Sequence, residues 1–366
     1  MSRSAPDLVW FSRGLSNVYD AVRLLRAADP AGRLRVLASD TRAHAPALSI
    51  ADDALLEPRG VSETAFVDWC LGVCVERGVR AFLPGGRVLA LARRRAEFAA
   101  VGTRLMVAGD ADTLALVDDK AALYEHLGSR VPQPAWRVVR TAEDMDAAMD
   151  ALRPGHPRLC VKPVVSMFGL GFHTLVERDD PYSQFLGADP VPRSVASTRR
   201  LLVGQERPRA LLLMEYLPGP ERSVDCLAMN GELVVAVARQ KRGDHQVIET
   251  EGPAVDIARE VVRALRLDGL VNVQTRDGRG EPRLLEVNAR MSGGLLYACL
   301  AGTALPYWAV QLALGNAAPA DVPRPRAGVI VAPVQGAIVV GQVGGALPAE
   351  GEADPGSRMG WPAAPK

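Results

Sequence analysis

"LVNVQTRDGRGEPRLLEVNAR" fills residues 270–290, two apolar-alternating runs on either side of a turn rich in glycine. Alternation of this kind predicts an antiparallel hairpin. Centred near Gly280, the hairpin sets Gln274 opposite Glu286 and Asn272 opposite Asn288. One face then sends Val271, Val273, Leu285 and Val287 into the core, while the other gathers Gln274, Glu286 and Asn288, with Arg290 two residues further on. Residues two apart on a strand share a face at about 7 Å, and directly paired residues approach to about 5 Å at Cβ. A plain solvated strand face explains alternating polar residues, but it does not call for an acid, two amides and a guanidinium at one spot. Hard cations such as Mg²⁺ do take such oxygen donors, completing their shell with water and phosphate. One carboxylate with two amides would hold the ion weakly alone and well when a polyphosphate comes with it.

Upstream residues supply the cations that a polyphosphate needs. Lys162 ends the apolar run "RLCVK" and precedes the loop "SMFGLGF", which starts at Ser166 and contains Gly169 and Gly171. Glycines let backbone N–H groups approach an anion closely. Lys120 opens a helical stretch, "KAALYEHL". A cation 4 Å from a phosphate oxygen contributes about 4 kcal/mol at an effective dielectric of about 20. Taken singly, either lysine is more simply a surface charge. "LLLMEYLPGPE" (211–221) is an apolar strand broken by Pro–Gly–Pro. Its end at Glu215, Tyr216 and Leu217 exposes backbone groups that a purine edge can use, and Glu221 beyond it suits ribose hydroxyls.

The rest of the chain sets the frame. At 366 residues it suits two or three domains. Its formal charge of +1 argues against a broad nucleic-acid face. The five cysteines, Cys70, Cys74, Cys160, Cys226 and Cys299, form no CxxC. Cys70 and Cys74, one helical turn apart, read as buried apolar residues, and a reducing compartment is expected. No apolar run reaches the roughly 18 residues of a membrane span, so a cytoplasmic protein without membrane contact is expected. Strands at 7–12, 33–39, 79–85 and 104–109 alternate with helices at 17–28, 63–78 and 87–100, which predicts an open parallel sheet. The turn "SRGLSN" (12–17) sits where phosphate loops often lie; its single glycine excludes a dinucleotide fingerprint, and a connection capped by Ser16 or Asn17 is the plainer reading. Residues 178–209 read as an exposed insertion with one helix near 194–203, and Asn230–Gly231 marks a hairpin turn.

In this order, "VKP", "MEYLPGPE" and "VQ…LLEVNAR" resemble the ATP-grasp superfamily, in the branch similar to carbamoyl phosphate synthase and other carboxylate–amine ligases. The resemblance runs over about residues 110–315, and the first hundred residues resemble the domain that precedes the module in that family. It implies an N-terminal open parallel α/β domain (1–108), then a two-lobed module with antiparallel sheets (109–209 and 210–345), then a disordered tail (346–366). It implies ATP and Mg²⁺ (Mn²⁺ is an option) as cofactors. Lys120 and Lys162 would contact phosphate, with Ser166, Gly169 and Gly171 in the covering loop. Backbone at Glu215, Tyr216 and Leu217 would read adenine, and Glu221 the ribose. Gln274, Glu286 and Asn288 would hold the metal, and Arg290, with Lys162, would stabilise the transferring phosphoryl group. "RQKR" (239–242) resembles a basic stretch near the same cleft; whether Arg239, Lys241 or Arg242 touches substrate stays open. His173 and His245 are weaker candidates for substrate contact.

The implied reaction joins a small-molecule carboxylate to an amine through an acyl-phosphate, releasing ADP and phosphate; a homodimer is one assembly it allows. Two alternatives stay open: an ATP-dependent carboxylase or small-molecule kinase with the same nucleotide half, and a catalytically lapsed nucleotide-binding regulatory protein. The sequence departs from biotin-carboxylase relatives in a loop poorer in glycine, carrying Met167 and Phe168. It offers no fingerprint for either substrate.

Overall fold

Residues 5–14, 18–166, 169–186, 191–203 and 209–341 are described by the computed structural model. Ser16, Asn17, Met167, Phe168 and the tail expected at 346–366 lie outside the described residues.

Three sheets follow one another along the chain. The first comprises β1 (Asp7–Phe11), β2 (Leu34–Asp40), β3 (Asp53–Leu56), β4 (Val79–Leu83) and β5 (Arg104–Leu105), ordered β3-β2-β1-β4-β5 and parallel throughout. Val9, Phe11, Val36 and Ala81 are fully buried or nearly so, as strands covered on both faces require. The edge strand β3 has no counterpart in the sequence reading, because "DALL" is too short and too polar at its start to stand out. The expected helix at 87–100 is two short helices, Val88–Arg93 and Arg95–Ala100, broken at Arg94. β5 holds only two residues of the expected strand at 104–109.

The second sheet, ordered β6-β10-β7-β8-β9, comprises β6 (Trp136–Val139), β7 (Leu159–Pro163), β8 (His173–Val176), β9 (Pro192–Ser194) and β10 (Leu211–Glu215). Two expectations are corrected here. The sheet is mixed, not purely antiparallel, because β8 and β9 run parallel. Residues 178–209 are not simply an exposed insertion, since β9 extends this sheet and is followed by the helix Val195–Val203, which buries Thr198 and Leu202.

The third sheet is antiparallel and ordered β15-β14-β11-β12-β13-β16, from β11 (Glu221–Met229), β12 (Glu232–Arg242), β13 (His245–Glu249), β14 (Gly269–Gly278), β15 (Glu281–Asn288) and β16 (Ile330–Val331). Its two faces explain where the polar residues collect. Val224, Cys226, Val271 and Val273 share a face that packs against the amphipathic helix Pro253–Ala264. The opposite face changes character along its length. Leu227, Val235, Val237 and Leu270 lie under the helices Leu295–Cys299 and Leu305–Leu314. Two to four residues along the same face, Ser223, Asp225, Arg239, Asn272, Gln274 and Glu286 form its polar end.

The hairpin register is the one that centring on Gly280 predicts: Asn272 pairs with Asn288 and Gln274 with Glu286. Arg279 (φ 54°) and Gly280 (φ 88°) form the two-residue turn, whose positive φ values suit the strand twist. The register shifts beyond Gln274, where Thr275 faces Leu284, so Leu285 is an extra residue in β15. Leu285 was expected in the core. The bulge turns it to the polar side, and Leu284 (0 % exposed) takes the core position.

Candidate active site

The bulge at Leu285 anchors the site. Its carbonyl accepts hydrogen bonds from Tyr124 Oη (2.7 Å) and Lys162 Nζ (3.2 Å), which ties the third sheet to β7 and to the helix Lys120–Leu127. Lys162 is itself buried; burial pulls its ammonium down to about 8, against the pull of nearby Glu286 in the other direction. Lys120 stands at the first position of its helix, which Asp119 caps by accepting from Ala122 N. The Lys120 backbone N–H reaches Val164 O (3.2 Å), and its Nζ donates to Ser166 O (2.8 Å) and lies 3.6 Å from Glu286 Oε2.

On the hairpin, Asn288 Nδ2 lies 3.4 Å from Glu286 Oε1 and 3.5 Å from Asn272 Oδ1. Arg290 Nη2 donates to Asn288 Oδ1 at 3.1 Å, so the guanidinium reaches back to the trio although the strand ends at Asn288. Burial lowers the Arg290 pKa from its ordinary value, while Glu286 and Asp118 work against that shift. Glu286, Gln274 and Asn288 share one face; one carboxylate and two amides are residue types that can supply oxygens to a hard cation, with Asn288 Oδ1 turned to Arg290 here. Among the described residues no cluster of three or more His, Cys, Asp or Glu offers a richer metal site.

Two cavities meet at these groups. A cleft of about 640 Å³ is lined by Lys162, Gly169, Met214, Tyr216, Leu217 and Gln274, among others. A neighbouring cavity of about 470 Å³ runs to the loops of the first sheet. Lys120, Ser166 and Glu286 line both.

The strand end at 215–217 is well braced. Glu215 N–H donates to Ala135 O (2.9 Å) and Tyr216 N–H to Arg158 O (3.0 Å). The Glu215 carboxylate, 5 % exposed, accepts from Ala135 N (3.1 Å) and Arg283 Nη1 (3.1 Å). The Tyr216 ring lies under the Arg158 guanidinium at 4.2 Å. The Pro–Gly–Pro break is pinned where Gly219 N–H donates to Asp277 O (2.9 Å), and Glu221 beyond it is bonded to Lys241 Nζ (2.6 Å) at the rim of the cleft.

Some sequence candidates sit elsewhere. Gly171 packs its backbone against the Pro163 ring and is not among the residues lining the cleft, whereas Gly169 is. Arg239 is 3 % exposed beneath the site: Nε donates to Asp225 Oδ2 (2.7 Å), Nη1 to Gln246 Oε1 (2.8 Å), and Nη2 to Ser223 Oγ (2.8 Å) and Ser292 Oγ (3.1 Å). Asn272 joins this network through Ser223 Oγ (2.9 Å) and Asp225 Oδ1 (3.1 Å). Arg242 Nε donates to Gln240 Oε1 (2.6 Å). His173 Nδ1 meets Val191 O (3.1 Å) and His245 pairs with Asp244, both away from the two cavities. The five cysteines are buried and unbridged, and burial pushes the Cys74 thiol up to about 11. The sequence reading did not find Glu57, Phe66, Arg87 or Asp118, which line the second cavity from three separate segments. Burial raises the Glu57 and Asp118 carboxyls above their ordinary values.

The family described as "ATP-grasp in the biosynthetic pathway with Ter operon" matches residues 207–337, the stretch that holds the third sheet and the hairpin trio. These residues carry the ATP-grasp match. No curated protein matches it. Among solved structures, the chain resembles N5-carboxyaminoimidazole synthetase from Staphylococcus aureus complexed with ADP: TM-score 0.62, 13 % identity, 88 % of this chain and 80 % of that one covered. It resembles the biotin carboxylase domain dimer of 2-oxoglutarate carboxylase from Hydrogenobacter thermophilus, solved with MgADP, ADP and bicarbonate: TM-score 0.61, 15 % identity, 86 % and 70 % covered. It also resembles L-amino acid ligase from Bacillus licheniformis: TM-score 0.56, 17 % identity, 85 % and 75 % covered. At these identities the likeness is one of fold. No helix among the described residues is long and apolar enough to cross a membrane.

Proposed function

We propose that this protein is an ATP-dependent carboxylate–amine ligase. The observation that carries the reading is the junction: two cavities, one beside the Glu215–Leu217 strand end and one reaching the N-terminal loops, share Lys120, Ser166 and Glu286. Phosphoryl transfer needs a donor and an acceptor held on either side of a concentration of positive charge. In this reading the residues from about 109 to 345 bind nucleotide and those of 1–108 help to bind the acceptor.

Each residue has a defined task. Backbone at Glu215 and Leu217 reads adenine, with the Tyr216 position fixed between them, and Glu221 takes the ribose. Lys162, Lys120, Ser166 and Gly169 hold the phosphates. Gln274, Glu286 and Asn288 would hold Mg²⁺, which supplies charge neutralisation to the phosphates when bound. Arg290 faces the transferring group from the acceptor side. A carboxylate oxygen attacks the γ-phosphorus and the bond to ADP breaks; the amine then attacks the acyl carbon and phosphate leaves with the electron pair of the broken C–O bond. No protein nucleophile is required, and all five thiols are buried. The dimer seen in the biotin carboxylase structure supports a homodimer as the assembly to look for.

ADP release with paired carboxylates and amines, read alongside product mass, tests this. We expect an amide product from at least one pair and a loss of about 1,000-fold or more in turnover for Glu286→Ala, with the fold kept. ATP binding without ADP release for any pair would favour a lapsed regulatory protein, and a carboxylated or phosphorylated product would favour the carboxylase or kinase.

A further inference from the structure

The second cavity has a distal end that phosphoryl transfer does not use. It lies at the carboxyl ends of β1 and β4, between which the order β3-β2-β1-β4-β5 reverses direction. Loops leaving neighbouring parallel strands in opposite directions open a crevice, and ligands of open α/β sheets bind there. Here the two loops are fastened together. Ser12 N–H donates to Leu83 O (3.2 Å), and Gly85 N–H to Ser12 Oγ (3.1 Å). A Cβ on Gly85 would stand 2.1 Å from Gly14 Cα, so only glycine allows this backbone contact.

The contact sets two arginines, Arg13 and Arg87, into the lining of one cavity. Arg87 adopts a left-handed conformation (φ 51°) where the helix Val88–Arg93 begins. Its guanidinium lies 4.6 Å over the Phe66 ring and donates to Val61 O and Ser62 O, both at 3.2 Å. Arg13 Nη1 donates to Thr41 Oγ1 (3.0 Å), and its backbone N–H to Glu57 Oε1 (2.7 Å). Each guanidinium has five N–H donors, so both keep donors beyond those bonds. Glu57 is occupied in holding the Arg13 loop, because it also accepts from Ser39 Oγ (2.9 Å). Phe66, Val88, Leu114 and Val117 give the same cavity apolar lining, beside the Asp118 carboxylate.

We infer that the acceptor is a dianion: a carboxylate substrate with a second anionic group, carboxylate or phosphate, seated on Arg13 and Arg87 across a short apolar spacer. The inference rests on the acceptor role proposed above for this cavity, yet it concerns binding and can be read without turnover. Calorimetric titration of the full-length protein, saturated with MgATP analogue that cannot be hydrolysed, would use three probes: butyrate, glutarate and 3-phosphonopropionate. Glutarate or the phosphonate should bind about 30-fold more tightly than butyrate, and the one that does identifies the second group. Arg13→Gln and Arg87→Gln should bring that ratio close to one, while analogue binding shows that each variant is folded. Equal affinity for all three probes, no binding by any of them, or a ratio untouched by both substitutions would overturn the inference. If the dianion is preferred but no carboxylate yields ADP, the ligase reading fails and this one stands.

Discussion

The cleft beside β14 and β15 and the cavity against the first sheet differ in how their walls are made. The cleft is a sheet face: its groups recur at every second residue on paired strands, and a buried network stands beneath them. The cavity draws on loops and helices, with Arg13, Glu57, Arg87 and Asp118 brought together from four places in the first 118 residues. Chemistry that does not vary belongs on the rigid element, and selection among substrates belongs on loops that can change without disturbing the sheet.

That contrast can be broken by stability measurements. Arg239 and Asp225, with side chains 4 % and 2 % exposed, form a buried ion pair under the cleft. Arg239→Met would leave Asp225 buried without its cation and should cost about 3–5 kcal/mol, read as a fall in the urea midpoint. Asp225→Leu added to it should restore much of the loss. If Arg239 instead contacted phosphate, as its place in "RQKR" allowed, Arg239→Met would mainly weaken nucleotide binding and leave the midpoint where it was.

A smaller effect sharpens the comparison through pH. The folded pKa of Lys162 is about 8, below its ordinary 10.5, so the folded protein sheds this proton earlier than the unfolded chain. The burden of the buried charge is therefore full below pH 8 and disappears as pH rises to 10.5. Lys162→Met should be more stable than the wild type at pH 7, and the difference should shrink across that window. In the wild type free of nucleotide, affinity for ATP should fall as pH passes 8, because a neutral amine no longer attracts phosphate. A stability difference independent of pH would show that Lys162 is not buried as described.

The same contrast governs what the sequence disclosed. The hairpin register followed from counting outward from Gly280, and the order of Lys120, Lys162, Glu215 and the 274–290 stretch was legible because each sits on its own short element. The bulge at Leu285 was not, since one extra residue leaves the apolar pattern "LL" unchanged while exchanging which leucine is buried. Whether Arg239 touches substrate stayed open because a strand pattern gives the face but not the depth. Only the pairing with Ser223 shows that it lies where this face begins to close under the helices. The cavity's arginines left no local pattern. Arg13 stood in a turn with one glycine, and Arg87 acquires meaning only when β1 and β4 lie side by side and Gly14 touches Gly85. The mixed second sheet was hidden for a related reason, because three-residue β9 is recognisable only by its partner β8.

The central claim is that Gln274, Glu286 and Asn288 present oxygen donors to a metal that arrives with nucleotide. Its most direct test is the dissociation constant of ATP, with and without Mg²⁺, for the wild type and for Glu286→Gln, which keeps the shape and removes the charge. The account predicts that Mg²⁺ tightens ATP binding by about tenfold or more in the wild type and has little effect in the variant. Equal tightening in both proteins would contradict it.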